Sequence, residues 1–216
     1  MEKTVIFDMD GVIFDTERLY MDCGKRVGDK YGLAGIEEVI RQCIGVTARQ
    51  TKQIVCRALG EDVDCERFLS EISVLFHKRT QEQGIPVKPG AKELLCYLKE
   101  NGYAVGLASS TRKARVEEEL GQAGLLPFFQ TVIGGDMVKR GKPDPEIYLR
   151  ACEEMGVVPE RTYAIEDSFN GVRSAWSAGM YVIMVPDLLA PDGEMQRLAS
   201  AIYPSLSEVL EYFQGL

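Results

Sequence analysis

The feature that most constrains this chain is a recurrence of short, apolar, β-rich runs with amphipathic stretches between them. The runs are Thr4 to Phe7, Tyr103 to Ala108, Thr131 to Ile133, Tyr163 to Ile165 and Tyr181 to Val185. Each is too short for a helix and apolar on both faces, the pattern of a strand buried in a parallel sheet. Between them, Ala91–Asn101, Lys113–Ala123, Pro145–Met155 and Phe169–Ala178 carry apolar residues at helical spacing. Asp144-Pro145 marks one helix start, an acid able to cap followed by a proline at the first helical position. Such alternation predicts an α/β fold, a doubly wound parallel sheet with right-handed crossovers.

One interval breaks the rhythm. Between the first run and Pro89-Gly90 no convincing strand occurs, and the sequence reads as helices over Glu17–Tyr31, Thr47–Leu59 and Asp64–Gln83. Thr47-Ala48-Arg49-Gln50 fits a capping box. Phe68, Leu69, Ile72, Leu75 and Phe76 form a helical stripe. The expected organisation is an α/β core from residues 1–14 and 85–216, with a helical insert at 15–84.

Composition narrows the partners. The 216 residues hold 25 Lys plus Arg against 33 Asp plus Glu, a net charge of -8. That balance argues against nucleic acid or an anionic membrane, which are bound by basic surfaces. A small anionic substrate would need locally placed cations or a metal. His77 is the only histidine, which excludes most histidine-based zinc sites and leaves little room for a Ser-His-Asp triad. The six cysteines show no CxxC spacing in a chain long enough to build its own core, so reduced thiols are expected. No apolar run suits a signal peptide or a membrane span, so a cytoplasmic location is expected.

In an open α/β sheet the ligand site lies at the carboxyl ends of the strands. Asp8-Met9-Asp10-Gly11 comes after the first run, and Ser109-Ser110-Thr111 after the second. Gly141-Lys142-Pro143-Asp144 comes after the third, past a loop, and Glu166-Asp167-Ser168 after the fourth. Asp8 and Asp10, two residues apart at a strand end, can face one site. With Glu166 and Asp167 they make an oxygen-rich set suited to Mg²⁺, which favours carboxylates, water and a substrate phosphate. A carboxylate can also attack phosphorus to give an aspartyl-phosphate. Ser109 can hold phosphate oxygens, and Lys142 supplies a point charge for nucleophile and phosphoryl group alike. Gly11 allows a sharp turn after the paired acids.

Other readings of these residues are weaker. Asp-x-Asp alone is common in solvated turns and caps. An EF-hand needs a bidentate Glu where Leu19 stands. Pro143 follows Lys142 with no glycine five positions before it, and no Gly-x-Gly occurs, so Walker and dinucleotide motifs are absent. Trp176 reads as a core residue and His77 as a surface one. Asn170 is well placed to touch substrate or the insert. Arg49, Lys52, Lys78 and Arg79 either face the site or line solvated helix faces.

Four motifs in order, each after an expected strand, resemble those of the haloacid dehalogenase superfamily across essentially the whole chain. They are Phe7-Asp8-Met9-Asp10-Gly11-Val12, Leu107-Ala108-Ser109-Ser110, Gly141-Lys142-Pro143-Asp144-Pro145, and Ile165-Glu166-Asp167-Ser168 with the tail Gly171-Val172 through Ala178-Gly179-Met180. Ser174 stands where alanine is common. The resemblance implies a Rossmann-like core, and the insert looks like the family's cap domain, which closes over small substrates. It implies Asp8 as nucleophile and Asp10 as acid–base. Asp8, the Asp10 carbonyl, Glu166 and Asp167 would hold Mg²⁺ directly or through water. Ser109, Ser110 and Lys142 would bind the phosphoryl group, with Asn170 and Arg49 as further substrate contacts.

Within the superfamily the chain is most similar to the capped sugar-phosphatase and β-phosphoglucomutase group, and Asp15-Thr16-Glu17-Arg18-Leu19-Tyr20 also resembles pseudouridine monophosphatase. The expected activity is a Mg²⁺-dependent phosphatase acting, as a monomer, on a small phosphorylated metabolite. A sugar phosphomutase is the alternative, and a phosphate-binding regulator a more distant one. In the β-phosphoglucomutases a histidine four residues after the Thr16 position is tied to the timing of the acid–base. Here that residue is Tyr20. A phenol with a pKa of about 10 cannot carry an imidazole's charge change near neutral pH, so hydrolysis is expected over transfer to sugar.

Overall fold

In the computed structural model, which describes residues 3–44 and 48–216, six parallel strands form one sheet. In chain order the elements begin with β1 (Thr4–Phe7), then α1 (Thr16–Lys30), α2 (Ile36–Arg41), α3 (Ala48–Leu59) and α4 (Cys65–Gln83). Next come α5 (Ala91–Glu100), β2 (Ala104–Ala108), α6 (Lys113–Gln122), β3 (Thr131–Ile133), α7 (Glu146–Met155) and β4 (Tyr163–Glu166). The chain ends with α8 (Phe169–Ser177), β5 (Tyr181–Met184), α9 (Met195–Leu198), β6 (Ala201–Ile202) and α10 (Leu206–Gln214).

The strand order is β3-β2-β1-β4-β5-β6. The progression reverses between β1 and β4, so these neighbours flank the crevice where doubly wound sheets bind ligands. All four residues of β1 and of β4 are buried, as strands covered on both faces must be. Ile6, Ala164, Val182 and Met184 pack with Ile147, Tyr148, Ala151, Val172 and Ala175 in one core cluster.

The described residues divide into two compact units, Met1–Asp15 with Pro86–Leu216, and Thr16–Ile85. The first holds the sheet. Its two chain crossings pair with each other: Asp15 N–H donates to Pro86 O at 2.8 Å and Lys88 N–H to Ile13 O at 2.9 Å. The second unit is helical, with Leu19, Cys23, Val27, Ile36, Ile40, Val55, Leu59, Phe68 and Ile72 as its core. Asp64 caps α4 by accepting from Arg67 N–H at 3.1 Å.

Several expectations need correction. Cys56 and Cys65 form a disulfide, not two thiols, because the packing of α3 and α4 brings their Cα atoms to 5.2 Å. Trp176 is 53% exposed; Gly171, Ser174, Ala175 and, just past the helix, Ala178 are buried, and the centre of their shared face lies more than about 100° around the helix from Trp176. The short α2, α9 and β6, and the terminal α10, are additions to the expected elements. Helix α7 starts one residue late, with Pro145 rather than Asp144 at the N-cap position; Asp144, one residue earlier, accepts from Glu146 N–H at 3.1 Å. Thr47 of the expected capping box lies outside the described residues. No helix among the described residues is long and apolar enough to cross a membrane.

Candidate active site

The first functional side chain emerges where β1 ends. Asp8 N–H donates to Ile165 O at 2.9 Å, tying the end of β1 to β4. The chain then turns back: Ile13 and Phe14 N–H both donate to Met9 O, at 2.8 and 3.0 Å. Gly11 makes this possible twice over. Its φ is +82°, and a Cβ there would come 2.1 Å from Asp167 Oδ2. The end of β4 thus fits against a surface that only glycine leaves open.

Lys142 joins the two strand ends. Its Nζ donates to Asp8 Oδ1 at 2.5 Å, to Glu166 Oε1 at 2.6 Å and to Ala108 O at 3.0 Å. Those three acceptors match the three hydrogens of an ammonium, and the Tyr148 hydroxyl oxygen is a fourth, longer contact at 3.5 Å. The lysine also lies 5.0 Å from the Tyr148 ring centroid, within cation–π range.

Glu166 is wholly buried and saturated. Besides Lys142, its Oε1 accepts from Tyr148 OH at 2.7 Å. Its Oε2 accepts from Asp167 N–H at 3.2 Å, Ser168 N–H at 3.4 Å and Ser168 Oγ–H at 3.2 Å. Ser168 Oγ in turn caps α8, accepting from Gly171 N–H at 3.0 Å. A Cβ on Gly171 would lie 2.0 Å from the Glu166 carboxyl group. With so many donors already in place, Glu166 positions Lys142 and acts on a cation best through water.

Asp8, Glu166 and Asp167 each offer a carboxylate oxygen within 4.8 Å of the others, and all three are buried. Asp10 is held separately, its Oδ2 accepting from Thr111 Oγ1–H at 3.1 Å. Lys142 therefore meets two carboxyl groups directly, with Asp167 beside them and Asp10 near enough to act on Asp8. Burial, with Glu166 and Asp10 nearby, pushes the Asp8 carboxyl up to about 8 despite the lowering influence of Lys142. Burial alone would lower the Lys142 ammonium, but Asp8 and Glu166 more than reverse this and raise it well above the usual lysine range. A site of hard oxygen donors with excess negative charge fits a divalent cation such as those that favour carboxylates.

Residues 5–185 match the family described as haloacid dehalogenase-like hydrolase. The chain belongs to this family. A phosphorylated carbohydrates phosphatase of Thermotoga maritima is 39% identical over 178 residues, covering 82% of each chain. A solved Thermotoga maritima structure, provisionally described as a β-phosphoglucomutase, is 35% identical with TM-score 0.83, covering 100% of both chains. The structure of a haloacid dehalogenase family hydrolase from Deinococcus radiodurans with bound phosphate and sodium is 26% identical with TM-score 0.82, over 96% of this chain and 93% of that one. With such relatives the enzyme class is phosphatase.

Against this family background the remaining expected residues fall into place unevenly. Ser109 is wholly buried and its Oγ accepts from Thr111 N–H at 3.0 Å, while Ser110 is exposed. Asn170 Oδ1 accepts from Arg173 Nη1–H at 3.1 Å, and Arg173 is itself clamped bidentately by Glu194. Arg49 lies exposed on α3 of the helical unit. Within that unit Lys52 pairs with Glu66, Lys78 with Glu82 and Arg79 with Asp22. Three of the four candidate cations are thus engaged on the helical unit's own acids. His77 is exposed, as expected.

Two contributors carry little or no signal in the sequence. Tyr148 looks like one more apolar position on α7, yet its hydroxyl reaches Glu166. Thr111 reads only as part of a hydroxyl cluster, but its hydroxyl donates to Asp10.

Proposed function

We propose that this chain hydrolyses phosphate monoesters of small metabolites, of the sugar phosphate or nucleoside monophosphate type, through an aspartyl-phosphate on Asp8. The observation that carries the reading is Lys142, whose Nζ bridges Asp8 at 2.5 Å and Glu166 at 2.6 Å across the β1–β4 crevice. Asp8 attacks phosphorus, a bond forms from its oxygen, and the bond to the leaving oxygen breaks. Asp10, steadied by Thr111, gives that oxygen its proton and then takes one from the water that attacks the aspartyl-phosphate. Phosphorus–oxygen cleavage frees Asp8 and releases inorganic phosphate. Lys142 balances charge on Asp8 and on the transferring group, with Ser109 and Ser110 as neighbouring phosphate contacts. Asp8, the Asp10 carbonyl and Asp167 would hold Mg²⁺, with Glu166 reached through water. Bound there, the ion would neutralise phosphoryl charge and allow Asp8 to approach as an anion. Asn170 and Arg49 remain proposed substrate contacts, and the helical unit is proposed as the cap that selects substrate.

Hydrolysis is favoured over mutase chemistry by Tyr20. The Tyr20 ring stacks edge-on with Phe76, centroids 6.0 Å apart, inside the helical unit. Burial raises its phenol above the ordinary value, with Cys43 and Cys23 adding to the effect. It stays neutral near pH 7 and cannot switch Asp10 as an imidazole would. The test supplies β-glucose 1-phosphate with a trace of the bisphosphate and follows both products. Inorganic phosphate is expected to dominate; faster glucose 6-phosphate formation overturns the assignment.

A further inference from the structure

Asp187, two residues beyond the Val185 that extends β5, takes no part in the chemistry proposed for Asp8. Val185 N–H donates to Glu166 O at 2.7 Å, and Met184 is in register with Glu166. Val185-Pro186-Asp187 therefore runs on beside Glu166-Asp167. The Asp187 side chain is 2% exposed, and its Oδ1 accepts from Lys88 Nζ at 2.5 Å. Lys88 is itself anchored beside the Asp8–Asp10 loop through its backbone bond to Ile13 and the adjoining Phe14–Val87 bridge.

The other carboxylate oxygen is the informative one. Asp187 Oδ2 is buried and has no hydrogen-bond partner among the described residues. Buried carboxylate oxygens are ordinarily satisfied, because leaving a charged acceptor without a donor is costly. A carboxylate oxygen of Asp187 also lies within 4.8 Å of one on Asp167. Such a gap is about the span of one water donating to both oxygens. Two anions so close repel unless a cation or its water lies between them, and Lys88 compensates Asp187 from one side only.

We propose that Asp187 is a positioning residue for the cation site: its Oδ2 accepts a hydrogen bond from water carried by the ion that Asp8 and Asp167 hold. Lys88 fixes the carboxylate in that orientation. This rests on the cation reading above and adds a residue to it. Water-mediated supports of this kind typically contribute ten- to a hundredfold to metal affinity.

The test measures Mn²⁺ binding to the substrate-free full chain by electron paramagnetic resonance, and Mg²⁺ binding by calorimetry. Asp187→Asn is expected to weaken both by about tenfold or more. Because an unpaired Lys88 could unsettle the fold, a Lys88→Met/Asp187→Leu double variant replaces the ion pair with apolar side chains and is expected to show the same loss. Asp167→Asn, tested in parallel, should weaken binding further. If Asp167→Asn abolishes binding while both Asp187 variants bind like wild type, the role of Asp187 is overturned and the cation site stands. If wild type binds neither ion, both fall. Unchanged metal affinity with a raised KM would make Asp187 a substrate contact instead, which also overturns the proposal.

Discussion

Replacing Tyr148 with phenylalanine removes one hydroxyl from the most connected part of the site, and its effects can be worked through. The hydroxyl donates to Glu166 Oε1 at 2.7 Å, beside the Lys142 bond to the same oxygen at 2.6 Å. A hydrogen bond to a charged group contributes about 1.5–3 kcal/mol, against about 0.5–1.5 for a neutral one. Glu166 keeps its other donors, so Tyr148→Phe should cost about 2 kcal/mol. For a chain of this size that lowers Tm by about 4–8 °C in a thermal melt of the metal-free protein. In a Glu166→Gln background the same change should cost only about 1 kcal/mol, since the acceptor is no longer charged. Lys142, left as the sole donor on Oε1, should also shift toward Glu166 and away from Asp8. The kcat should then fall about tenfold, equivalent to about 1.4 kcal/mol, with KM within about twofold. An unchanged Tm and kcat would refute the reasoning. So would a higher KM at unchanged kcat, because Tyr148 would then not govern the position of Lys142.

Other outcomes can be checked alongside. Asp8→Asn should lower phosphate release at least about a thousandfold while the protein stays folded, since an amide is a poor nucleophile; labelled phosphate trapped by acid quench of wild type should map to Asp8, and label on a serine would defeat the mechanism. A strong chelator should abolish turnover and Mg²⁺ restore it, and Mg²⁺ at about a hundred times its Kd should add about 2.7 kcal/mol of stability in a melt; full activity in chelator would remove the cation from the site. Gly11→Ala should cost about 1–2 kcal/mol for the positive φ alone and weaken Mg²⁺ binding as its Cβ displaces Asp167; intact binding by calorimetry would contradict the close approach at 2.1 Å.

Much of this protein is determined by its sequence alone. Strands such as Thr4–Phe7 and Tyr163–Glu166 are announced locally, because a run buried on both faces must be continuously apolar. The acids that end those strands are equally local, so Asp8, Asp10, Glu166, Asp167 and Lys142 are legible in the order of residues, and the geometry brings Asp8, Glu166 and Lys142 into direct contact. Only the tertiary structure decided the rest. Periodicity says that a strand is buried but not which strand lies beside it, so the β1–β4 crevice depends on the strand order. Cys56 and Cys65 show no motif spacing; their disulfide depends on how α3 packs on α4. Tyr148 and Trp176 show the limit most plainly. Both are aromatic residues on amphipathic helices, yet one is wholly buried against Glu166 and the other is 53% exposed. A helix pattern fixes the apolar stripe only to within a residue or so, and one position is about 100° around the helix. Whether a side chain meets a carboxylate or solvent is settled by the neighbour across that face, which lies far away in the sequence.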